Sequence, residues 1–239
     1  NVKIDPIEFE SKEESTKKVD SPIVGTEPGP SSTEGKKIDP TAEPLSEGVA
    51  HLLGTKRKQD YELAYLYFMK ADAAGQQDAS LYLGYMYEHG LYVPVDYQKA
   101  MSLFRKAAEQ GNAAAMNNLG FMYENSLGVA RDYTAAASWY IKAADHGLDD
   151  ALSNVARMYK HGRGVPRDLE KAFQLNRQGA EKGDNSAMNN LAVMYEDGEG
   201  VPQDYTQAIH WYKEAEKNGN KSAPRALERL KESNPELFT

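Results

Sequence analysis

No cysteine occurs among the 239 residues. Disulfide bonds, thiolate-bound zinc and thiol catalysis are excluded with it. A chain without a thiol suits the periplasm or a secreted setting better than the cytoplasm. There is no initiating methionine either: the first residue is Asn1. That points to a removed leader or to a piece excised from a longer chain. No run of about 18 apolar residues is present, so no transmembrane helix and no direct membrane insertion are expected. Positive charge is scarce: 28 Lys and Arg stand against 36 Asp and Glu, a formal net charge of -8. Phosphate binding needs a basic footprint, so nucleic acid is disfavoured as a partner, and an anionic membrane more weakly so.

Catalytic and metal motifs are missing as well. No His-Glu-x-x-His and no Walker loop can be found, and the nearest glycine cluster, Gly162-x-Gly164, reads as a turn. His89 and His161 recur at one repeat position, where they answer a helix C-terminal dipole better than they bind metal. Ser15-x-x-Lys18 matches the Ser–Lys tetrad of penicillin-recognising enzymes, but it sits in a polar tail without supporting elements. Asn220-Lys-Ser222 is a glycosylation sequon, meaningful only in a eukaryotic secretory setting. No catalytic residue, metal or cofactor is expected.

What is present divides in two. Residues 1–40 carry Pro6, Pro22, Pro28, Pro30 and Pro40 in a stretch rich in Ser, Thr, Glu and Lys. Its few apolar residues cannot build a core, which predicts a disordered or extended tail. The tetrad Lys-Ile-Asp-Pro occurs at Lys3–Pro6 and again at Lys37–Pro40. It reads as helix-start chemistry, with Asp39–Pro40 opening the first helix. The alternative is a docking motif around Ile4, Ile7 and Phe9.

From there a period of 36 holds without insertion: Gly75, Gly111, Gly147, Gly183 and Gly219; Ala79, Ala115, Ala151, Ala187 and Ala223; Asp60, Asp96, Asp132, Asp168 and Asp204. Such a period is the signature of a stacked repeat. In one unit Ala115, Leu119 and Tyr123 form a stripe at i, i+4 and i+8 of a first helix. Gly120 inside it costs about 1 kcal/mol relative to Ala, which predicts close backbone approach by the neighbouring helix. A glycine-bearing turn follows, Asp132 caps a second helix, and Tyr133, Ala136, Tyr140 and Ala143 make its apolar face. One such hairpin cannot hide that face, whereas five stacked hairpins make an elongated core with capped ends. The expected fold is all-α: a right-handed α-solenoid of helix–turn–helix repeats over residues 41–232, with a C-terminal capping helix and a short tail at 233–239. Asn176, in place of the recurrent aromatic, with Gly179 nearby, marks the third full unit as the weakest-packed.

The unit resembles the Sel-1-like repeat, a relative of the tetratricopeptide repeat. Ala187, Leu191, Tyr195, Gly198, Gly200, Val201, Asp204, Ala208, Trp211, Tyr212, Lys213, Ala215 and Gly219 match it almost throughout. Tyr92 and Ser126 depart from it at loop glycines, and Ala156 and Ala192 at the helix glycine. The resemblance implies a non-catalytic scaffold or adaptor that binds a protein or peptide. Some cysteine-rich bacterial members were described as acting on β-lactams, but this chain lacks their cysteines, so a cell-wall or β-lactam hydrolase is disfavoured. A periplasmic immunity or inhibitor protein that wraps a toxic enzyme is the alternative function.

By analogy with tetratricopeptide grooves, the first helices line a concave face. The residues expected there are Leu81, Tyr85, Glu88, Asn117, Phe121, Glu124, Ser153, Arg157, Lys160, Asn189, Val193 and Glu196, with Asn118, Asn154 and Asn190 as an amide ladder beside them. The ladder either pairs with the backbone of an extended peptide or bonds neighbouring helices. Arg157 and Lys160 either take a partner carboxylate or neutralise the flanking acids. Tyr85 and Phe121 are the expected anchors, since aromatic residues dominate interface hot spots.

Overall fold

The structure, a computed structural model, describes residues 38–238. The tail motifs at Lys3–Pro6 and Ser15–Lys18, and Ile4, Ile7 and Phe9, lie outside the described residues. The chain separates into two units, residues 1–42 and 43–239. In the described part of the first, the Asp39 carboxylate accepts from the Thr41 amide at 2.8 Å and from its hydroxyl at 2.6 Å. Asp39 therefore closes a tight turn and does not open a helix, which corrects the sequence expectation. The first helix opens four residues later on the same chemistry. Glu43 accepts from the amides of Leu45 and Ser46 at 3.4 and 2.6 Å, and Pro44 occupies the first helical position.

The second unit is built from α1 (Pro44–Leu53), α2 (Tyr61–Ala73), α3 (Ala79–His89), α4 (Tyr97–Glu109), α5 (Ala113–Asn125), α6 (Tyr133–Asp145), α7 (Ala151–His161), α8 (Leu169–Glu181), α9 (Asn185–Asp197), α10 (Tyr205–Lys217) and α11 (Ala223–Ser233). A 3-10 turn, Pro235–Phe238, follows. No strand occurs among the described residues. Each helix packs on the next in sequence, giving five antiparallel hairpins in a row and α11 against the last. α7 also meets α9, so first helices of consecutive hairpins come together along one side. The unit is an α-solenoid.

The repeated aspartates set the hairpin geometry. Each of Asp60, Asp96, Asp132, Asp168 and Asp204 accepts from an amide in the first turn of its second helix, at 2.9–3.1 Å. Each also donates its own N–H to the carbonyl of residue 51, 87, 123, 159 or 195 near the end of the preceding helix, at 2.9–3.1 Å. One residue thus ties together both ends of the interhelical loop. The loop needs backbone at positive φ, supplied by Gly128, Gly164 and Gly200 and by Tyr92 at φ 68°. At Gly164 and Gly200 a side chain would run into the backbone carbonyl of Tyr133 or Leu169, at the start of the preceding second helix. Tyr92, which holds this position in its own unit, is exposed, and its ring lies 5.5 Å from that of Tyr65.

In the first three hairpins an aromatic ring of the second helix lies over a glycine of the first. A Cβ on Gly48, Gly84 or Gly120 would stand 2.5–2.7 Å from the rings of Phe68, Phe104 and Tyr140 respectively. The close approach expected at Gly120 is therefore made by a side-chain ring and not by the neighbouring backbone. The rings of Phe68, Phe104, Tyr140 and Tyr212 are almost wholly buried and link apolar clusters along the array. Burying a large side chain contributes about 1.5–3 kcal/mol, so each of these rings helps to hold the two helices of its hairpin together. In the α7–α8 hairpin the column holds Asn176 instead. Its Nδ2 reaches only the Met194 sulfur, at 3.4 Å, and its Oδ1 is buried with no partner. A cleft of about 270 Å³ opens beside the same hairpin, lined by Leu152, Val155, Tyr159, Lys171 and Leu175.

Candidate functional site

The first helices carry a polar column near their C-terminal ends: Leu52, Glu88, Glu124, Lys160 and Glu196. The fold brings two further columns to it. One is sixteen residues on, in the second helix of the same hairpin; the other is thirty-three on, in the first helix of the next.

The Glu124 set is complete. Tyr140 donates to Glu124 Oε2 at 3.0 Å, and Arg157 pairs with the carboxylate through both terminal nitrogens, its Nη2 lying 2.9 Å from Oε2. Arg163 adds a second cation at 3.6 Å. Burial pushes the Glu124 carboxyl up, but the Arg157 hydrogen bond and charge, helped by Tyr140, hold it below its ordinary value. Burial, then the Glu124 charge, pushes the Tyr140 phenol far above its usual range. At the end of the array the set repeats. Tyr212 donates to Glu196 at 2.7 Å, and Arg229 of α11 reaches both carboxylate oxygens at 2.5 and 2.6 Å.

The remaining sets differ. The first hairpin has Leu52, Phe68 and Tyr85 at the three positions, all free of charge. The α7–α8 hairpin has Lys160, Asn176 and Val193, and Lys160 is neutralised by Glu199 at 2.6 Å. The α3–α4 hairpin has Glu88, Phe104 and Phe121: a carboxylate with neither the hydroxyl nor the guanidinium. The Glu88 side chain is only 11% exposed. Burial pushes its carboxyl up to about 7. The nearest basic group is His89, whose Nδ1 lies 3.9 Å from Glu88 and 3.1 Å from the Tyr85 carbonyl. Burial holds that imidazole below its ordinary value despite the bond to Tyr85, which favours its neutral form.

The other residues expected on this face divide by what they touch. Leu81 is in the apolar core, 9% exposed and clustered with Ala100, Phe104 and Ala115, so it is a packing residue and not a groove contact. Ser153 is buried too, its hydroxyl donating to the Asp150 carbonyl at 3.0 Å. Asn154 donates to Asn117 at 3.0 Å and accepts from Arg157 at 3.0 Å, which spends that rung of the amide ladder on bonds between first helices. Asn118 Nδ2 and Asn189 Oδ1 are buried without partners, and Asn190 is half-buried. Val193 packs against the last core cluster. Tyr85 is half-buried with the His89 ring 4.1 Å from its own, and Phe121 stands 40% exposed. The cation pair Arg157 and Lys160 is spent on Glu124 and Glu199, which selects the neutralising role over capture of a partner carboxylate. Arg163, Tyr140, Glu199 and Arg229 were missing from the expected set, and the constant offsets of sixteen and thirty-three were the signal for two of them.

Among the described residues no group of three or more His, Asp or Glu is arranged to hold a metal ion, and no helix is long and apolar enough to cross a membrane. The Sel1 repeat family model matches the chain over residues 46–74, 77–112, 113–148, 149–184 and 185–220. No curated protein is similar enough to count as a relative. Among solved structures, a Sel1 repeat protein from Oxalobacter formigenes is 34% identical, with a TM-score of 0.73 over 78% of this chain and 74% of that one. A protective antigen present in uropathogenic Escherichia coli strains, displaying an SLR fold, is 35% identical with a TM-score of 0.69. It covers 80% of this chain, which spans only 41% of the antigen. An immunity protein from Pseudomonas aeruginosa is 24% identical with a TM-score of 0.55, over 80% of this chain and 70% of that one. At that identity the likeness shows the fold alone.

Proposed function

This chain belongs to the Sel1 repeat family, and on that premise we propose that it is a non-catalytic adaptor holding a segment of a protein partner along the face made by its first helices. The observation that carries this reading is an uneven distribution of spent and unspent groups. Glu124, Arg157, Lys160 and Glu196 are all satisfied within the chain. Glu88 and Phe121, on α3 and α5, are not: a carboxylate with no Lys or Arg against it and an exposed aromatic, with the half-buried Tyr85 ring beside them. Aromatic anchors beside a desolvated charge are what interface hot spots are made of.

Replacing Phe121 by a photoreactive phenylalanine derivative should crosslink a protein in native lysate, whereas the same group at Ser138, exposed on α6, should not. With the captured partner purified, Tyr85→Ala with Phe121→Ala should weaken its affinity by about thirtyfold, or about 2 kcal/mol, at unchanged helicity. Crosslinking from residue 138, or undiminished affinity, would move the interface to another surface. The inhibitor alternative rests on the acidic charge of the chain, and a captured partner that is an enzyme inhibited on binding would decide for it.

A further inference from the structure

We propose that Glu88, framed by Tyr85 and Phe121, is a receptor for an arginine side chain supplied by the protein partner. The inference deepens the groove reading and rests on it. Its warrant is the comparison that the chain makes with itself. Three hairpins place a glutamate at this position. In two of them the next first helix delivers a guanidinium onto it: Arg157 onto Glu124 and Arg229 onto Glu196, each thirty-three residues ahead. The hairpin geometry at this position is therefore shaped to present a carboxylate edge to an arginine fork. At Glu88 the thirty-third residue is Phe121, which has no charge to give. The hydroxyl that Tyr140 and Tyr212 give to their glutamates is missing too, because residue 104 is Phe.

A carboxylate only 11% exposed, with no Lys or Arg to pair with, is costly, whereas the first hairpin buries the uncharged Leu52 at this position. The charge is intelligible as one side of a pair whose other side comes from outside the chain. Arginine fits better than lysine for two reasons. Its planar fork matches a carboxylate in two parallel bonds, and its flat face stacks on aromatic rings such as Tyr85 and Phe121. The net charge of -8 favours approach by a basic segment.

The test titrates the full chain at pH 8 with the blocked pentapeptide Gly-Gly-Arg-Gly-Gly, followed by amide chemical shifts. Lysine and citrulline versions of the peptide serve as comparators. The expected result is a saturable shift centred on residues 85–89 and 121. The affinity should fall at least tenfold in Glu88→Gln and in Phe121→Arg, the second because it supplies the guanidinium from within. Glu196→Gln, whose carboxylate is already occupied, should bind the peptide as the parent does. Equal titration of Glu88→Gln, no saturable shift, or equal binding of the lysine or citrulline peptide would each overturn the proposal. Its failure is distinguishable from that of the groove reading. Crosslinking at residue 121 without peptide binding sinks the arginine receptor alone, and peptide binding without crosslinking removes the adaptor role and, with it, the partner as the source of the arginine.

Discussion

At the level of single residues, the decisive contrast is between Glu88 and Glu124. They hold the same repeat position, and burial raises the proton affinity of both, yet one ends below the ordinary carboxylate range and the other at about 7. The difference lies in Arg157 and Tyr140. A stability prediction follows with a definite sign. The folded chain holds a proton on Glu88 more tightly than the unfolded chain does, so between the ordinary glutamate range and about pH 7 folding takes up protons. Stability contributed by this group is therefore greatest in acid and falls as pH rises through that window. Glu88→Gln removes the penalty. It should leave urea stability unchanged near pH 4 and raise it by about 1–3 kcal/mol at pH 8. A gain of equal size at both pH values would mean that the amide improves packing and that the charge was never costly. The columns themselves were legible in the sequence, because a period of 36 places Glu88, Glu124, Lys160 and Glu196 in one register. What the columns do to one another was not, since it depends on which helices touch. An expected basic island thus became two internal ion pairs.

At the scale of the helix pair, the capping chemistry was readable and the core chemistry partly so. Asp132 begins α6 because its carboxylate serves the Thr134 and Ala135 amides, which the type of residue alone announces. Asp39 looks identical in sequence to such a cap, but it is followed by Thr41, whose amide and hydroxyl capture its oxygen in a local turn. That competition between two hydrogen-bonded arrangements is settled by geometry that the tetrad does not encode. Gly120 predicted a close neighbour but not its identity, the Tyr140 ring. Asn176 is the informative exception to the aromatic column. Its side chain is 2% exposed, its carbonyl oxygen is orphaned, and its amide meets only a thioether. Asn176→Leu keeps the branched shape of the side chain, adds bulk beside which a cleft is open, and removes the unmet hydrogen-bonding groups. It should raise stability by about 1–2 kcal/mol and slow amide exchange in α7 and α8 more than elsewhere. A loss of stability instead would show that the amide is satisfied in solution and belongs to the hairpin's native bonding.

For the molecule as a whole, each hairpin touches only its neighbours, so stability should be handed along the array and not held in one centre. The C-terminal end gives the cleanest place to see this, because α11 does two things there. Ala223 and Leu230 are buried, and with Ala226 and Leu227 they cover the cluster that holds Leu191, Tyr212 and Ala215. Arg229 supplies the cation that Glu196 requires. Removing residues 221–239 exposes the apolar face and leaves Glu196 without its cation, with only the Tyr212 hydroxyl against it, whereas Arg229→Ala removes the cation alone. Hydrogen exchange read helix by helix should show α9 and α10 losing protection in both variants, more in the truncation, with α1 to α6 close to the parent. Loss spread evenly from α1 to α10 would contradict nearest-neighbour coupling and would make the array one cooperative unit. Confined loss would also explain how a protein of this build tolerates an unsatisfied charge at Glu88: the penalty is carried by one hairpin and its two neighbours, and the rest of the stack does not feel it.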